Sequence, residues 1–453
     1  MIVDSVLINA KAYFKGQIVD CCIAVEEGKI HKLGKETQMP NADEKLDLHN
    51  LLVLPGLIDE HVHLRDEGKA YKEDFFSGTS AAAAGGFTTV LDMPNNEPVT
   101  MSVDSFRNRL QIAKRKILVN VGFYSAFPKT LSEINSLVTE GVVGFKFFMN
   151  SPIGGLDIDD DLAINEAFKI VSELKVPIAV HAEDRALISA KENKLKKVNK
   201  NTCADYLNAH TEDAELISIK RLLKIANGVD VKLHFCHITS KEGLGAIEEG
   251  KEVNNNLTCE VTPNHLFLSA DDLRLYGSLL IMAPPLRGSV HTRALWQGLE
   301  TGLIDTIGSD HAPHMLSEKI RSNIWDVNVG VPGLETTLPL MLTSVHKNQL
   351  SLNQVVCLLA EKPAKIFGLT DRGSLEKGKN ADITIVDYKQ QFKIDASKFK
   401  SKARFSPYEK WDVYGKPVKT IINGVLVFDQ GNIVSKGGVG EIIRGSPLEV
   451  HSR

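Results

Sequence analysis

The chain has 453 residues, 43% hydrophobic and 24% charged, with a formal net charge of −4. That length exceeds one ordinary globular core but suits an α/β barrel of about 250 residues beside a smaller domain. The acidic balance excludes a nucleic-acid footprint, and no apolar run reaches the roughly 18 residues of a membrane span.

Residues 1–54 read as strands. VDSVLINAKAYF (3–14) and VDCCIAVEEGKIHKLG (19–34) alternate or run β-rich, with Glu26-Glu27-Gly28-Lys29 as a hairpin turn. The opening MIVDSVLINAKAYF lacks the charged and apolar regions of a secretory signal. The pattern changes at Val53-Leu54-Pro55-Gly56. From there to about residue 367, short β-branched runs alternate with helical stretches. The runs are 57–63, 88–93, 117–123, 142–148, 177–183, 232–238, 257–261 and 303–309. Between them lie segments such as FFSGTSAAAAGG, LAINEAFKIVSELK and AELISIKRLLKIA. Eight strands with intervening helices predict an α/β fold, a (β/α)8 TIM-like barrel over 55–367. The densest basic stretch, KLKKVNK at 194–200, reads as a solvated helix end or loop.

After residue 367 the helical pattern stops. GSLEKGKNADITIVD (373–387) and VKTIINGVLVFDQG (418–431) read as strands with glycine-containing turns. The two strand-rich ends, 1–54 and 368–453, are therefore expected to pair into one small composite β-sandwich. The six cysteines form no CxxC pair and no framework spacing, which suits reduced thiols and a cytoplasmic protein.

Barrel enzymes carry their chemistry at the C-terminal ends of the strands. The first strand ends in His61-Val62-His63, and residues i and i+2 share a strand face. Both imidazoles can point into the barrel mouth and bind one metal. The fourth strand holds Lys146 among apolar neighbours, where a charged amine is costly. A desolvated neutral amine can take up carbon dioxide, and the resulting carbamate can bridge two ions. The fifth strand ends at His181 and the sixth contains His234 and His237. These two lie three apart and face opposite ways on a regular strand. His237, at the end, is taken as the ligand and His234 as a packed, hydrogen-bonded residue. The eighth strand leads into Ser309-Asp310-His311-Ala312-Pro313-His314. Imidazole and carboxylate ligands suit zinc, manganese or related ions.

PGLIDEHVHLRDEG (55–68) resembles the opening signature of the amidohydrolase superfamily, and its HVHLR form resembles the dihydroorotases. AGGFTTVLDMPNNEP, VTPNHLF, APPLR, SDHAPH, VPGLETTLPLM and ARFSPYEKWDVYGKPVKTIING are similar to the same pattern, over about residues 50–430. The resemblance implies residue roles. His61, His63 and Asp310 would bind one divalent ion, most simply zinc, and His181 and His237 a second. Carbamylated Lys146 and a hydroxide would bridge the two. Arg65, Asn95 and His314 would hold a substrate carboxylate, and a guanidinium is a natural fork for one. Asp310 would shuttle the proton.

The reaction implied is the reversible cyclisation of N-carbamoyl-L-aspartate to L-dihydroorotate in pyrimidine biosynthesis. Many bacterial relatives carry an aspartate in place of the bridging lysine. The GFKFFM context of Lys146 is instead similar to the animal dihydroorotase domain and to hydantoinases. Cys236 and Glu260 match positions that hold an extra metal in some relatives; here they are read as a buried thiol and a hydrogen-bonded carboxylate. MNSPIGGLDIDDD (149–161) reads as a lid. The alternatives are a dihydropyrimidinase, hydantoinase or allantoinase, whose substrates lack the ring carboxylate, and a non-catalytic scaffold, which would have lost ligands. A homodimer is expected because symmetric dimers are common.

Overall fold

The structure, a computed structural model, describes residues 2–445. Five strands open the chain: β1 (Ile2–Phe14), β2 (Gln17–Glu26), β3 (Lys29–Gly34), β4 (Asn41–Asp47) and β5 (Leu52–Pro55). Between β2 and β3, Glu27 and Gly28 have φ of 49° and 72°. Two successive positive φ values match the twist of a two-residue hairpin, and glycine tolerates the second at no steric cost.

Eight parallel strands follow: β6 (Leu57–Val62), β7 (Phe87–Asp92), β8 (Asn120–Ala126), β9 (Gly144–Phe148), β10 (Pro177–His181), β11 (Lys232–Phe235), β12 (Leu257–Val261) and β13 (Thr306–Ile307). Each pairs with the next. The ring is completed by a bridge between Val62 and His311, where His63 N–H donates to the His311 carbonyl at 2.9 Å. The fold is thus a nearly closed TIM-like barrel with a separate, largely antiparallel sheet.

The intervening segments form helices at the expected places, among them Phe75–Gly85, Asp161–Leu174 and Glu212–Ile225. The first is set by its ends. Asp74 accepts from the Ser77 amide at 2.8 Å, and Gly86 closes the helix at φ 85°. The basic stretch begins in the last turn of helix Arg185–Lys197, where cations complement the helix dipole.

Three barrel strands differ from the sequence reading by three residues at one end or more, and the other five agree within two. The third begins at Asn120 rather than 117, because Ile117 is engaged by the chain's far end: its carbonyl accepts from the Gly438 amide at 2.8 Å. The sixth stops at Phe235 because His237 has a left-handed backbone, φ 36°. The eighth spans Thr306–Ile307 alone; next to it, the Ser309 amide turns to the Asp59 carboxylate at 3.1 Å.

The last strands are β14 (Ile383–Lys393), β15 (Asp412–Ile422), β16 (Val425–Asp429), β17 (Asn432–Ile433) and β18 (Ile442–Ile443). β14 pairs antiparallel with β5, matching Ile383 to Pro55 and Ile385 to Val53. The two chain ends thereby share one nine-stranded sheet. Leu7, Ile23 and Val53 from one end pack with Ile383, Ile385 and Ile421 from the other. β18 instead lies parallel to β8, so this part of 368–453 returns to the barrel. The barrel floor is filled by Ile58, Leu91, Tyr124 and Val143, packed with Phe367 and Leu369 from the segment leaving the barrel. The opposite end stays open.

Candidate active site

At that open end lies a cavity of about 300 Å³. His61, His63, Arg65, Asn95, Lys146, His181, His237, Asp310 and His314 all line it. All the site residues singled out in the sequence therefore meet in one place, although 253 positions separate His61 from His314. His234 does not reach the cavity. Its Nδ1 sits 2.9 Å from the Thr258 hydroxyl and its ring packs edge-on against Phe367.

Three of the nine have left-handed backbones: Arg65 (φ 62°), His237 (φ 36°) and Asp310 (φ 44°). Non-glycine residues seldom adopt this conformation, and such strain gathers at functional sites. Here it has a plain geometric effect. Each of the three follows the end of its strand, and the turn in the backbone delivers the side chain to the mouth rather than continuing the alternation.

His61, His63 and Asp310 come together at the mouth. His63 Nε2 is 3.1 Å and His61 Nε2 3.5 Å from Asp310 Oδ1. One ligand atom from each lies within 4.8 Å of the others, close enough to share an ion. The far side of each imidazole is held: His61 Nδ1 by Glu260 Oε1 at 2.8 Å and His63 Nδ1 by Asn95 Oδ1 at 2.7 Å. Such outer partners fix ring orientation and leave the other nitrogen for a metal. His181 and His237 pack edge to face with ring centroids 4.6 Å apart. His237 Nδ1 is buried without a hydrogen-bond partner among the described residues, which leaves that nitrogen free for a metal.

Electrostatics agree with this chemistry at His63, His237 and Asp310. Burial, reinforced by Arg65, pulls His63 down to about 4 despite Asp310. Burial together with His181, Lys146 and His61 holds His237 far below the ordinary histidine range. Burial also works against the ionised Asp310, but His61 and His63 outweigh it and keep its carboxyl below the usual range. Neutral His63 and His237 beside an ionised Asp310 are the protonation states metal binding requires. His61 differs, because burial opposes its charge but Glu260, with Cys236 and Asp310, raises it well above the histidine range, so it would release a proton on binding an ion. Lys146 is 1% exposed, and its Nζ lies 2.9 Å from Cys236 Sγ.

Arg65 and His314 meet on the other wall, with Arg65 Nη2 3.3 Å from His314 Nε2. His314 is itself braced. Lys72 Nζ donates to its Nδ1 at 3.1 Å, and its Nε2 donates to the Val329 carbonyl at 2.9 Å. Burial and the cations Arg65, Lys72 and Lys319 press His314 far below the histidine range. Lys72 in turn pairs with Glu318 at 2.9 Å. Arg65 Nε is buried and has no partner among the described residues.

The sequence reading missed the lining residues Asn150, Asn328, Val329 and Gly330, and the braces Lys72 and Glu318. Asn150 and Ser151 fall in the segment read as a lid, which pointed to the stretch but not to the residue. The 328–330 stretch follows no strand and carries no periodic signal.

A (β/α)8 barrel with this His, Lys and Asp cluster at its mouth defines a metal-dependent hydrolase. The chain belongs to the amidohydrolase family, whose model matches residues 52–427. It is 37% identical to a dihydroorotase of Methanosarcina acetivorans, over 97% of this chain and 95% of that one. It is 32% identical to an L-hydantoinase of Paenarthrobacter aurescens, over 97% and 98%. Among solved structures, the L-hydantoinase (dihydropyrimidinase) of Arthrobacter aurescens superposes with a TM-score of 0.93 at 31% identity, covering 98% of this chain and 100% of that chain.

Proposed function

We propose that this chain is a dihydroorotase, interconverting N-carbamoyl-L-aspartate and L-dihydroorotate. The observation that carries the reading is Arg65, a buried guanidinium in the same cavity as the histidine cluster, whose Nε has no partner among the described residues. A buried cation in that state calls for an anion from the ligand. A cyclic amide that carries a ring carboxylate supplies one; an uncharged ring does not. The relatedness to a dihydroorotase along nearly the whole chain supports the same choice.

In this reading His61, His63 and Asp310 would hold one divalent ion, most simply zinc, His181 and His237 would hold a second, and a carbamate on Lys146 would be a ligand for both. When bound, the ions acidify a water and polarise the amide carbonyl. Arg65 and Asn95 fix the substrate carboxylate, setting the scissile amide over Asp310. His314, braced by Lys72, joins them in holding that carboxylate. Asp310, ionised at rest, accepts the proton of the attacking water and returns it to the leaving ring nitrogen. In the biosynthetic direction the ureido nitrogen closes on the side-chain carboxyl group, and water leaves. We place the enzyme in the cytoplasm, in pyrimidine biosynthesis, acting on small molecules, and expect a homodimer. The domain division we propose is 1–54 with 368–453 against 55–367.

The second reading is a hydantoinase or dihydropyrimidinase, favoured by the close superposition on the L-hydantoinase. An absorbance assay on zinc-replete protein separates them, with L-dihydroorotate, dihydrouracil, hydantoin and allantoin side by side. Chelator-sensitive turnover of L-dihydroorotate is expected. Turnover confined to the uncharged rings would move the chain to the second reading.

A further inference from the structure

Below the mouth, inside the barrel, lies a second cluster that shares only Glu260 with the proposed active site. It comprises Glu60 on β6, His234 on β11 and Glu260 on β12, at 0%, 1% and 0% exposure. Both oxygens of Glu60, Nε2 of His234 and Oε2 of Glu260 are buried with no hydrogen-bond partner among the described residues. Leaving so many polar atoms dry and unpaired is costly, and for carboxylates far more so.

We propose that Glu60, His234 and Glu260 bind a structural divalent cation inside the barrel, separate from the ions of the mouth. One ligand atom from each lies within 4.8 Å of the other two. His234 Nε2 and Glu260 Oε2 are 3.5 Å apart. That is the separation of two ligands on a tetrahedral ion with bonds of about 2.1 Å. The Thr258 hydroxyl, 2.9 Å from His234 Nδ1, occupies the far nitrogen and leaves Nε2 as the inward lone pair.

Glu260 divides its labour between its two oxygens. Oε1 faces the mouth, meeting His61 Nδ1 at 2.8 Å and the His237 amide at 3.1 Å. Oε2 faces the interior cluster, on the side away from the His61 imidazole. The carboxylate has room there because residue 308 is glycine; a Cβ at that position would fall 2.7 Å from Oε2. Two carboxylates and a divalent cation sum to zero charge, which a dry interior tolerates. The buried Thr306 hydroxyl neighbours Glu60 and offers a fourth oxygen. The ion would tie β6, which carries His61, across the barrel to β11 and β12.

The test is crystallographic and uses the intact wild-type protein loaded with zinc(II). An anomalous peak at the zinc edge, between Glu60, His234 Nε2 and Glu260 Oε2, is expected. Metal analysis after gel filtration should find one zinc fewer per chain in His234→Gln than in wild type. Density there without anomalous signal, no density, a peak beside Cys236 Sγ instead, or equal zinc counts would each overturn the proposal. The wild-type map stands if the variant does not fold. None of these outcomes depends on which ring the mouth hydrolyses.

Discussion

His63 is joined directly to Asn95: its Nδ1 lies 2.7 Å from Asn95 Oδ1. A residue of the proposed metal cluster and one of the proposed carboxylate clamp are therefore a single hydrogen-bonded unit. Substituting Asn95 should disturb both. For Asn95→Ala we expect zinc affinity to fall roughly 10–100-fold, the usual effect of losing an outer partner of a metal-bound histidine, and KM to rise. Competition dialysis against a chelator measures the first. Unchanged zinc retention would mean that Asn95 serves substrate alone.

Asp310→Ala should abolish turnover while leaving the circular dichroism spectrum and molecular mass in solution unchanged. Asp310 is the carboxylate that both His61 and His63 approach, at 3.5 and 3.1 Å. Activity within tenfold of wild type would remove it from the proton transfer.

Arg65→Met should weaken the use of L-dihydroorotate by about 2–4 kcal/mol in kcat/KM, the scale of an unpaired buried carboxylate. Arg65→Lys should recover part of this, because a point charge replaces the fork without its geometry. Unaltered kinetics in Arg65→Met would make the arginine structural and would favour an uncharged ring as substrate.

Stability should depend on pH through His210. Burial opposes its charge, but the carboxylates of Glu183, 3.4 Å from Nδ1, and Glu192, 3.2 Å from Nε2, win and raise it to about 9. Below the unfolded value of about 6.5 both states hold the proton and the stabilisation is complete. Between there and about 9 the unfolded histidine releases its proton while the folded one retains it, so stability falls as pH rises. The contribution is on the order of 3 kcal/mol. Urea unfolding at pH 6 and pH 9.5 should show a larger loss for wild type than for His210→Gln; parallel losses would contradict the assignment.

Removing metal should cost stability as well as activity, since ions bound only by the folded chain stabilise it by mass action. We expect the thermal midpoint to drop on chelation and to return with zinc. A midpoint indifferent to chelation, with activity lost, would confine the metal to chemistry.

Much of this was legible in the sequence, because barrel strands announce themselves as short β-branched runs and their ends carry the chemistry. His61 and His63 followed from strand alternation. His237 did not: alternation alone ranks it equally with His234, and only the left-handed turn at φ 36° sends it to the mouth. Local pattern also overextended the third strand, because Ile117 is β-branched and buried yet its carbonyl is claimed by Gly438, 321 positions away. Lys72 and Glu318 were invisible for the same reason. Their work is to brace residues distant in sequence, and nothing in their neighbours marks it.

The seam between β5 and β14 has a consequence for how the chain is made. Val53 waits for Ile385, which leaves the ribosome 332 residues later. Until then the Leu52–Pro55 edge has no partner on that side, and an open strand edge invites pairing with other chains. A premature stop after residue 370 would spare every residue of the mouth and still produce a protein with its first sheet unfinished. The expected phenotype of such a truncation is insolubility rather than slow turnover, and co-expressing the missing C-terminal fragment is the remedy to try.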